Sequence, residues 1–426
     1  MQALKKIVII GGGFAGLSLA QSLKKSAVEV ILLDKSNHHL FQPLLYQVAT
    51  AALSPGDIAV PLRGILRNQR NVQVFLEEVQ KIELAEKKIF LSHGDTLSYD
   101  YLIVAVGARH TYFGKDEWER YAAGLKTIRE ALQIRERLLL SFEKAERLND
   151  PKKQAPYLCF VVIGAGPTGV ELAGAIAEIA RKTMIQDFRQ IDPSQARVLL
   201  VDASPRVLPS YPEDLSEKAA QALKDLGVEL YLNRRVNQVT ATGVQVGEDW
   251  IETPNLIWAA GNRASPLLKT LGTPLDTMGR AIVTADLSLP EYPHTFVIGD
   301  AAHCKTAQGQ ALPGIAPVAV QQGRFLGTLL KKELENPQHP RPSFVYRDKG
   351  MMATIGKAKA VAVLGSFRFS GFLAWVLWCG VHIFFLIGFR NKFLVMLEWM
   401  GHYFSSQRGV RLITQTSTES KKEPEV

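Results

Sequence analysis

The feature that most restricts the fold is a long-range repeat. Residues 6–16 read KIVIIGGGFAG and residues 159–169 read CFVVIGAGPTG; each is an apolar run of strand length that turns through glycines into a helical pattern. A second apolar strand then ends in an acid in each half, within EVILLDKS (29–36) and RVLLVDAS (197–204). A third follows at YDYLIVAVGA (99–108) and TPNLIWAAGN (253–262). Gly11 to Gly107 is 96 residues and Gly164 to Gly261 is 97, so order and spacing recur together. Self-similarity on this scale predicts two Rossmann-like α/β units in one chain.

Each unit carries a Gly-x-Gly-x-x-Gly turn. In the first, Gly11 allows the tight turn, Gly13 lets backbone approach a pyrophosphate, and Gly16 lets helix and strand pack closely. The helix N-terminus then faces phosphate charge. Asp34, 18 residues past Gly16, ends the second strand, where a carboxylate accepts hydrogen bonds from an adenosine ribose. Gly164, Gly166, Gly169 and Asp202 repeat the logic. Two such sites imply two dinucleotides, most economically a tightly held FAD and an exchanging nicotinamide nucleotide. Asp202 would repel a 2′-phosphate, which favours NADH over NADPH, although Arg206 lies close by in sequence. A second pointer to FAD is TFVIGD (295–300), which places Asp300 at a strand end where it can reach a ribityl hydroxyl; capping a helix is the plainer role for that acid.

The rest of the chain narrows the class. A net charge of +9 is scattered, with no basic run interleaved with aromatics, so nucleic acid is not expected as a partner. The three cysteines, Cys159, Cys304 and Cys379, form no CxxC pair, which argues against a metal site, an iron–sulfur cluster or a redox-active disulfide. The opening MQALKKIVIIGGG enters a strand within five residues and leaves no room for a secretory signal, so the body is expected in the cytosol. Residues 124–148 read as a charged amphipathic helix and 149–156 as a linker. About fifteen extra residues around RKTMIQDFRQIDPSQA look like an added helix or excursion in the second unit.

With these residues in view, the chain resembles the two-dinucleotide flavoproteins of glutathione-reductase-like fold, and more narrowly the type II NADH dehydrogenases. The resemblance rests on GGGFAG, FQPLLYQVATAALSPGDIAVPLR, GAGPTGVELAGAIAE, FVIGDAAH, APVAVQQGR and YRDKGMMATIGK, spread over the chain up to residue 413. The Phe41–Arg63 stretch and the start of the Gln-Gln helix are its most specific parts.

The resemblance implies an NADH:quinone oxidoreductase that does not pump protons: a hydride passes from NADH to FAD, and two electrons then pass to a membrane quinone. It implies FAD on Gly11, Gly13, Gly16, Asp34 and Asp300, and NADH on Gly164, Gly166, Gly169 and Asp202. Glu171 matches an acid near the nicotinamide–flavin junction, Gln321 and Gln322 match quinone-site glutamines, and Lys349 falls in a segment that reaches the quinone pocket. His303 is a weaker candidate proton partner, read more readily as structural. Pro317 departs from the family motif by removing a side-chain donor, though proline is comfortable in a first helical turn. The implied domains are a discontinuous FAD-binding domain (1–120 and 262–366), an NADH-binding domain (121–261), membrane-anchoring helices (367–413) and a disordered tail (414–426). Alternatives are a reductase of a soluble acceptor and a flavin redox sensor with little turnover.

The apolar segment GFLAWVLWCGVHIFFLIGF (371–389) is uncharged and 19 residues long, near the ~20 needed to cross hydrocarbon. A transmembrane tail is therefore one reading. Arg390, Asn391 and Lys392 separate it from a second apolar-rich stretch (393–404), and Trp375, Trp378, His382 and Trp399 suit an interface. Two helices lying on the bilayer surface, with Arg368, Arg390, Lys392, Arg408 and Arg411 meeting headgroups, would anchor the enzyme peripherally on the cytoplasmic face of the inner membrane. A homodimer face is the third reading of these aromatics.

Overall fold

The structure, a computed structural model, describes residues 4–306, 308–405 and 408–413. They cluster into two compact units.

The first unit comprises 1–40, 59–109 and 262–349. Its sheet has six strands in the order Ser288–Leu289, Tyr292–Val297, Tyr101–Val104, Lys5–Ile10, Val28–Asp34, Val72–Leu76. All neighbours run parallel except the Ser288–Leu289 edge. The strands from the glycine turn, the acid and the third apolar run thus lie side by side, as the repeat requires. Their apolar residues, among them Val8, Ile10, Leu33, Leu102 and Val104, form a core with the underlying Val79–Glu83 and Lys88–Leu91 hairpin. On the other side of the sheet, the Phe14–Ser22 helix packs against Ala316–Glu335. That crossing is close because Gly323 and Gly327 carry no side chain: a Cβ on Gly323 would stand 2.3 Å from the Ala15 carbonyl oxygen, and one on Gly327 2.4 Å from the Ser22 Cβ.

Among the described residues, the second unit comprises those within 41–58, 110–261 and 350–413. Its five strands run parallel in the order Ala122–Ala123, Asn255–Trp258, Cys159–Ile163, Arg197–Val201, Val228–Tyr231. The two repeats agree atom for atom at their turns. Gly11 N–H donates to Leu33 O at 2.7 Å and Gly164 N–H to Val201 O at 2.7 Å, while Ala105 N–H meets Ile10 O at 2.8 Å and Ala259 N–H meets Ile163 O at 2.7 Å. The amphipathic helix forms over Ile128–Glu146, opened by a capping box between Thr127 and Glu130. The extra segment is not a helix of its own. It is a π-helical turn, Ile179–Thr183, that continues the Pro167–Glu178 helix, followed by a short 3₁₀ turn at Pro193–Gln195.

The units depart from the sequence-read boundaries in three places: residues 41–58, 110–120 and 350–366 fall in the second unit. The hairpin Met351–Thr354/Ala360–Leu364 lies on the Pro167–Glu178 helix at Gly174, where an added Cβ would be 3.3 Å from the Gly356 amide nitrogen. Helices Gly371–Phe385 and Phe389–Ser405 follow that sheet, and Asn391 donates from its amide to Gly56 O at 3.0 Å. Among the described residues no helix is long and apolar enough to cross a membrane. The uncharged stretch is broken at Leu386, which leaves the helix in extended conformation. The tail expected to be disordered, 414–426, lies outside the described residues.

The glycine crossing generates a prediction. Gly323→Ala must push its methyl against backbone, which cannot rotate away, so thermal unfolding should register a loss of about 1–3 kcal/mol. An unchanged melting temperature would contradict the crossing.

Candidate active site

Each glycine turn builds a cradle from its own sterics. Gly11 has φ +105° and Gly164 φ +109°, and a Cβ on either would strike the neighbouring strand: Ala105 O at 2.3 Å, Ala259 C at 2.7 Å. A Cβ on Gly16 would lie 1.9 Å from Gly11 O, and on Gly169 1.7 Å from Gly164 O. At Gly13 and Gly166 the same construction meets nothing within 4 Å. These two residues are the N-caps of their helices and supply no side-chain cap. The first turn of each helix therefore presents backbone N–H groups to open space, with the positive end of the helix dipole behind them. That arrangement fits a dinucleotide pyrophosphate in both units.

The acids close the cradles in matching fashion. Asp34 accepts from Gly12 N–H (2.5 Å) and Ser36 N–H (2.6 Å); Asp202, one residue beyond its strand, accepts from Ala165 N–H (2.6 Å) and Ser204 N–H (2.7 Å). Burial raises the Asp34 pKa, against the pull of these two amides. Each carboxylate is thereby held at the edge of its glycine loop, where a ribose would lie.

In the first unit, Asp300 sits in a single 3₁₀ turn, Gly299–Ala301, and no long helix follows directly. The helix that serves this turn starts fifteen residues later, at Ala316, with Pro317 in its first turn. Gln322 on that helix is buried and accepts from Gly299 N–H at 2.6 Å. Gln321 is exchanged twice with the Arg347 backbone, donating to its carbonyl (2.9 Å) and accepting from its N–H (3.0 Å). Lys349, two residues on, is exposed. The two glutamines thus hold two different loops, the Asp300 turn and the segment that carries Lys349. His303 is structural: it is bonded to Asp276 (2.8 Å) and to Arg280 (3.2 Å).

Glu171 lies in the second unit, on the Pro167–Glu178 helix, and lines a cleft with Tyr46, Gln47, Thr354, Trp378, Cys379 and Trp399 among others. It is 9% exposed. Burial pushes its carboxyl up to about 8, although the Thr354 backbone N–H opposes the shift. One helical face sets this geometry. Glu171, Gly174 and Glu178 stand in line: Glu171 faces Thr354 N–H, Gly174 admits the hairpin backbone, and Glu178 accepts Lys357 N–H at 2.7 Å. Arg408 closes the far side, donating to Thr50 O (2.6 Å) and Ala175 O (3.2 Å) and lying 3.7 Å from Glu178.

Several tail residues stand elsewhere than expected. Arg408 is buried rather than in reach of headgroups, and Arg411 pairs with Asp187. Arg368 pairs with Asp214 at 2.7 Å. Trp378 is 2% exposed and stacks on His382, and Cys379 turns toward the cleft, not outward. The outward face carries Phe372, Leu373, Phe384, Phe389, Met400 and Phe404 instead. Tyr46, Gln47, Glu178 and Arg408 also line this cleft, and the sequence alone does not mark them as site residues. The first two lie inside the distinctive Phe41–Arg63 stretch, the one signal for them in the sequence.

The chain matches the pyridine nucleotide-disulphide oxidoreductase family over residues 5–323 and the NDH2 C-terminal domain over 349–407. The type II NADH:quinone oxidoreductase Ndh of Mycobacterium tuberculosis is 45% identical over 423 residues, covering 96% of this chain and 90% of the relative. NdhA of the same organism, a second type II NADH:quinone oxidoreductase, is 43% identical over 96% of this chain and 89% of its own length. Among solved structures, NDH2 from Plasmodium falciparum in complex with NADH has the same fold, with a TM-score of 0.89 at 20% identity, covering 97% of this chain and 100% of that one. The sulfide:quinone oxidoreductase of Aquifex aeolicus is more distant in fold, at a TM-score of 0.73. Its family twice over, by the nucleotide-binding body and by the C-terminal domain, and alike along nearly its whole length, this chain belongs to the type II NADH:quinone oxidoreductases.

Proposed function

We propose that the protein oxidises NADH and passes two electrons, through FAD, to a membrane quinone without pumping protons. The observation that carries this reading is the pair of matched cradles in one chain, each with an open helix N-terminus and a fixed acid; the chain also holds a buried carboxyl, Glu171, lining a cleft. When bound, FAD supplies the hydride-accepting and electron-donating chemistry.

The chain's own residues then have these tasks. Gly11, Gly13, Gly16 and Asp34 hold FAD by pyrophosphate and ribose, and Asp300 holds it near the ribityl chain. Gly164, Gly166, Gly169 and Asp202 hold NADH. Asp202 sets the preference for NADH over NADPH by charge. Gln321 and Gln322 position the loops beside the acceptor, and Lys349 offers it a positive charge. Glu171 keeps a proton at its carboxyl oxygen below about pH 8 and is suited to hand it on as the quinol forms. The cysteines take no part: Cys159 and Cys304 are buried, and burial pushes the thiols of Cys159 and Cys379 up to about 11 and about 12, away from the reactive thiolate.

The exposed apolar face of the two C-terminal helices supports binding to one leaflet. The protein then sits peripherally, on the cytoplasmic side of the inner membrane, within reach of a lipid-soluble quinone. A homodimer would compete for the same face.

Purified protein supplied with FAD should be yellow, bleach with NADH, and recover its colour with a short-chain quinone. Protein that stays colourless, or that no quinone reoxidises, would overturn the reading. Quinone-dependent turnover should decline as pH rises through about 8, because Glu171 then loses its proton. Glu171→Gln should lower turnover about 10²-fold or more and remove that alkaline limb, measured as kcat against pH. Replacing Phe384, Phe389 and Phe404 together by glutamate should cut co-sedimentation with vesicles at least 100-fold, at about 1.5–3 kcal/mol per buried phenylalanine. NADH-driven bleaching should be unaffected by that change. Retained vesicle binding would assign the face to a dimer instead.

A further inference from the structure

The cleft beside Glu171 contains a chain of hydrogen bonds whose direction is set by chemistry. The indole N–H of Trp399 can only donate, and it lies 2.7 Å from Gln47 Oε1. The Gln47 amide is thereby fixed, with its Nε2 turned to the Tyr46 hydroxyl at 2.9 Å. That nitrogen can also only donate, so the Tyr46 oxygen accepts, and its own hydrogen must go elsewhere. Among the described residues the Tyr46 hydroxyl donates no hydrogen bond; the one it makes is accepted from Gln47. Tyr46 and Gln47 are both buried, and both line the cleft.

The donor is held firmly. Tyr46 O accepts from both Thr50 N–H (3.0 Å) and Thr50 Oγ1 (2.8 Å), and Arg408 ties down Thr50 O at 2.6 Å. Trp399 packs on Trp378 with ring centres 5.2 Å apart. Burial and the neighbouring Glu171 carboxyl keep the phenol from ionising. A buried hydroxyl whose hydrogen meets no acceptor among the described residues, aimed by two partners and lining a cleft, is an arrangement that an incoming acceptor would complete.

We propose that the Tyr46 hydroxyl, oriented by the Trp399–Gln47 relay, donates the hydrogen bond that fixes and polarises one carbonyl oxygen of the bound quinone. This rests on the reading of the chain as a quinone reductase. The bond stabilises negative charge on that oxygen as two electrons arrive, while Tyr46 keeps its proton. The two protons of the quinol come from Glu171 and from the NADH-derived and solvent pool.

The test is anaerobic stopped-flow on the full-length FAD-loaded protein, with three readings: bleaching by NADH, reoxidation by a short-chain quinone, and reoxidation by ferricyanide, which has no carbonyl. Tyr46→Phe should slow quinone reoxidation about 10- to 100-fold while leaving the other two rates within twofold. Trp399→Phe keeps the hydroxyl but frees the Gln47 amide to turn, and should slow the quinone step alone, by about three- to tenfold. Quinone reoxidation of Tyr46→Phe within twofold of the parent would overturn the proposal. So would equal loss with quinone and ferricyanide, which marks a structural role. Should Tyr46→Phe fail to fold, an unslowed quinone step in Trp399→Phe overturns it just as well. Failure of the parent itself to bleach with NADH is a different result: it removes the functional reading beneath.

Discussion

The contact on which the structure depends is one that only glycine permits: a chain leaving a strand and passing over the end of its neighbour with backbone against backbone. At Gly11 and Gly164 any side chain would collide with the next strand, and at Gly16 and Gly169 with the turn itself. Two fixed points per turn determine where each helix begins and how it lies on its sheet. From that follow the open N–H groups, the acid bonded to the loop amide, and the parallel register of the three central strands. Because the constraint is steric, it is insensitive to the sequence around it, and the two units share it while their surroundings differ.

The second unit uses the same helix twice. Its N-terminus serves the glycine turn, and one face further along carries Glu171, Gly174 and Glu178. A carboxyl, a gap and a carboxyl at this spacing grip a hairpin by its backbone. The grip costs something: two acids are taken out of water. Glu178 is compensated by the Lys357 amide, Lys182 and Arg408. Glu171 has less compensation, and the rise of its pKa is the result. Structural and chemical roles are thus divided between two glutamates seven residues apart.

Much of this was legible in the letters. The repeat, the glycine turns and Asp34 follow from local rules, in which neighbours in sequence are neighbours in space. Glu171 is implied by the family resemblance rather than by any local rule. Tyr46, Thr354, Trp399 and Arg408 come from four separate stretches, and only tertiary packing brings them together. The apolar tail shows a further limit. Almost every residue of 371–385 is apolar, so periodicity does not say which aromatics face inward, and Trp378, expected at the interface, is buried. Arg408 was assigned by its charge to headgroups; three carbonyl and carboxyl partners outweighed water. The domain boundaries moved for a similar reason, since Gly174 creates a docking place that nothing near 350–366 announces.

The position of Arg408 has a consequence for how the chain can be handled. An apolar helix pair such as Gly371–Phe385 and Phe389–Ser405 invites trimming when a more tractable protein is wanted. Here Arg408, three positions beyond the end of the last helix, is buried and bonded to the Thr50 carbonyl, so the apparent appendage is a belt fastened at both ends. Solubility must be engineered on its outer surface, residue by residue, with the buckle left in place.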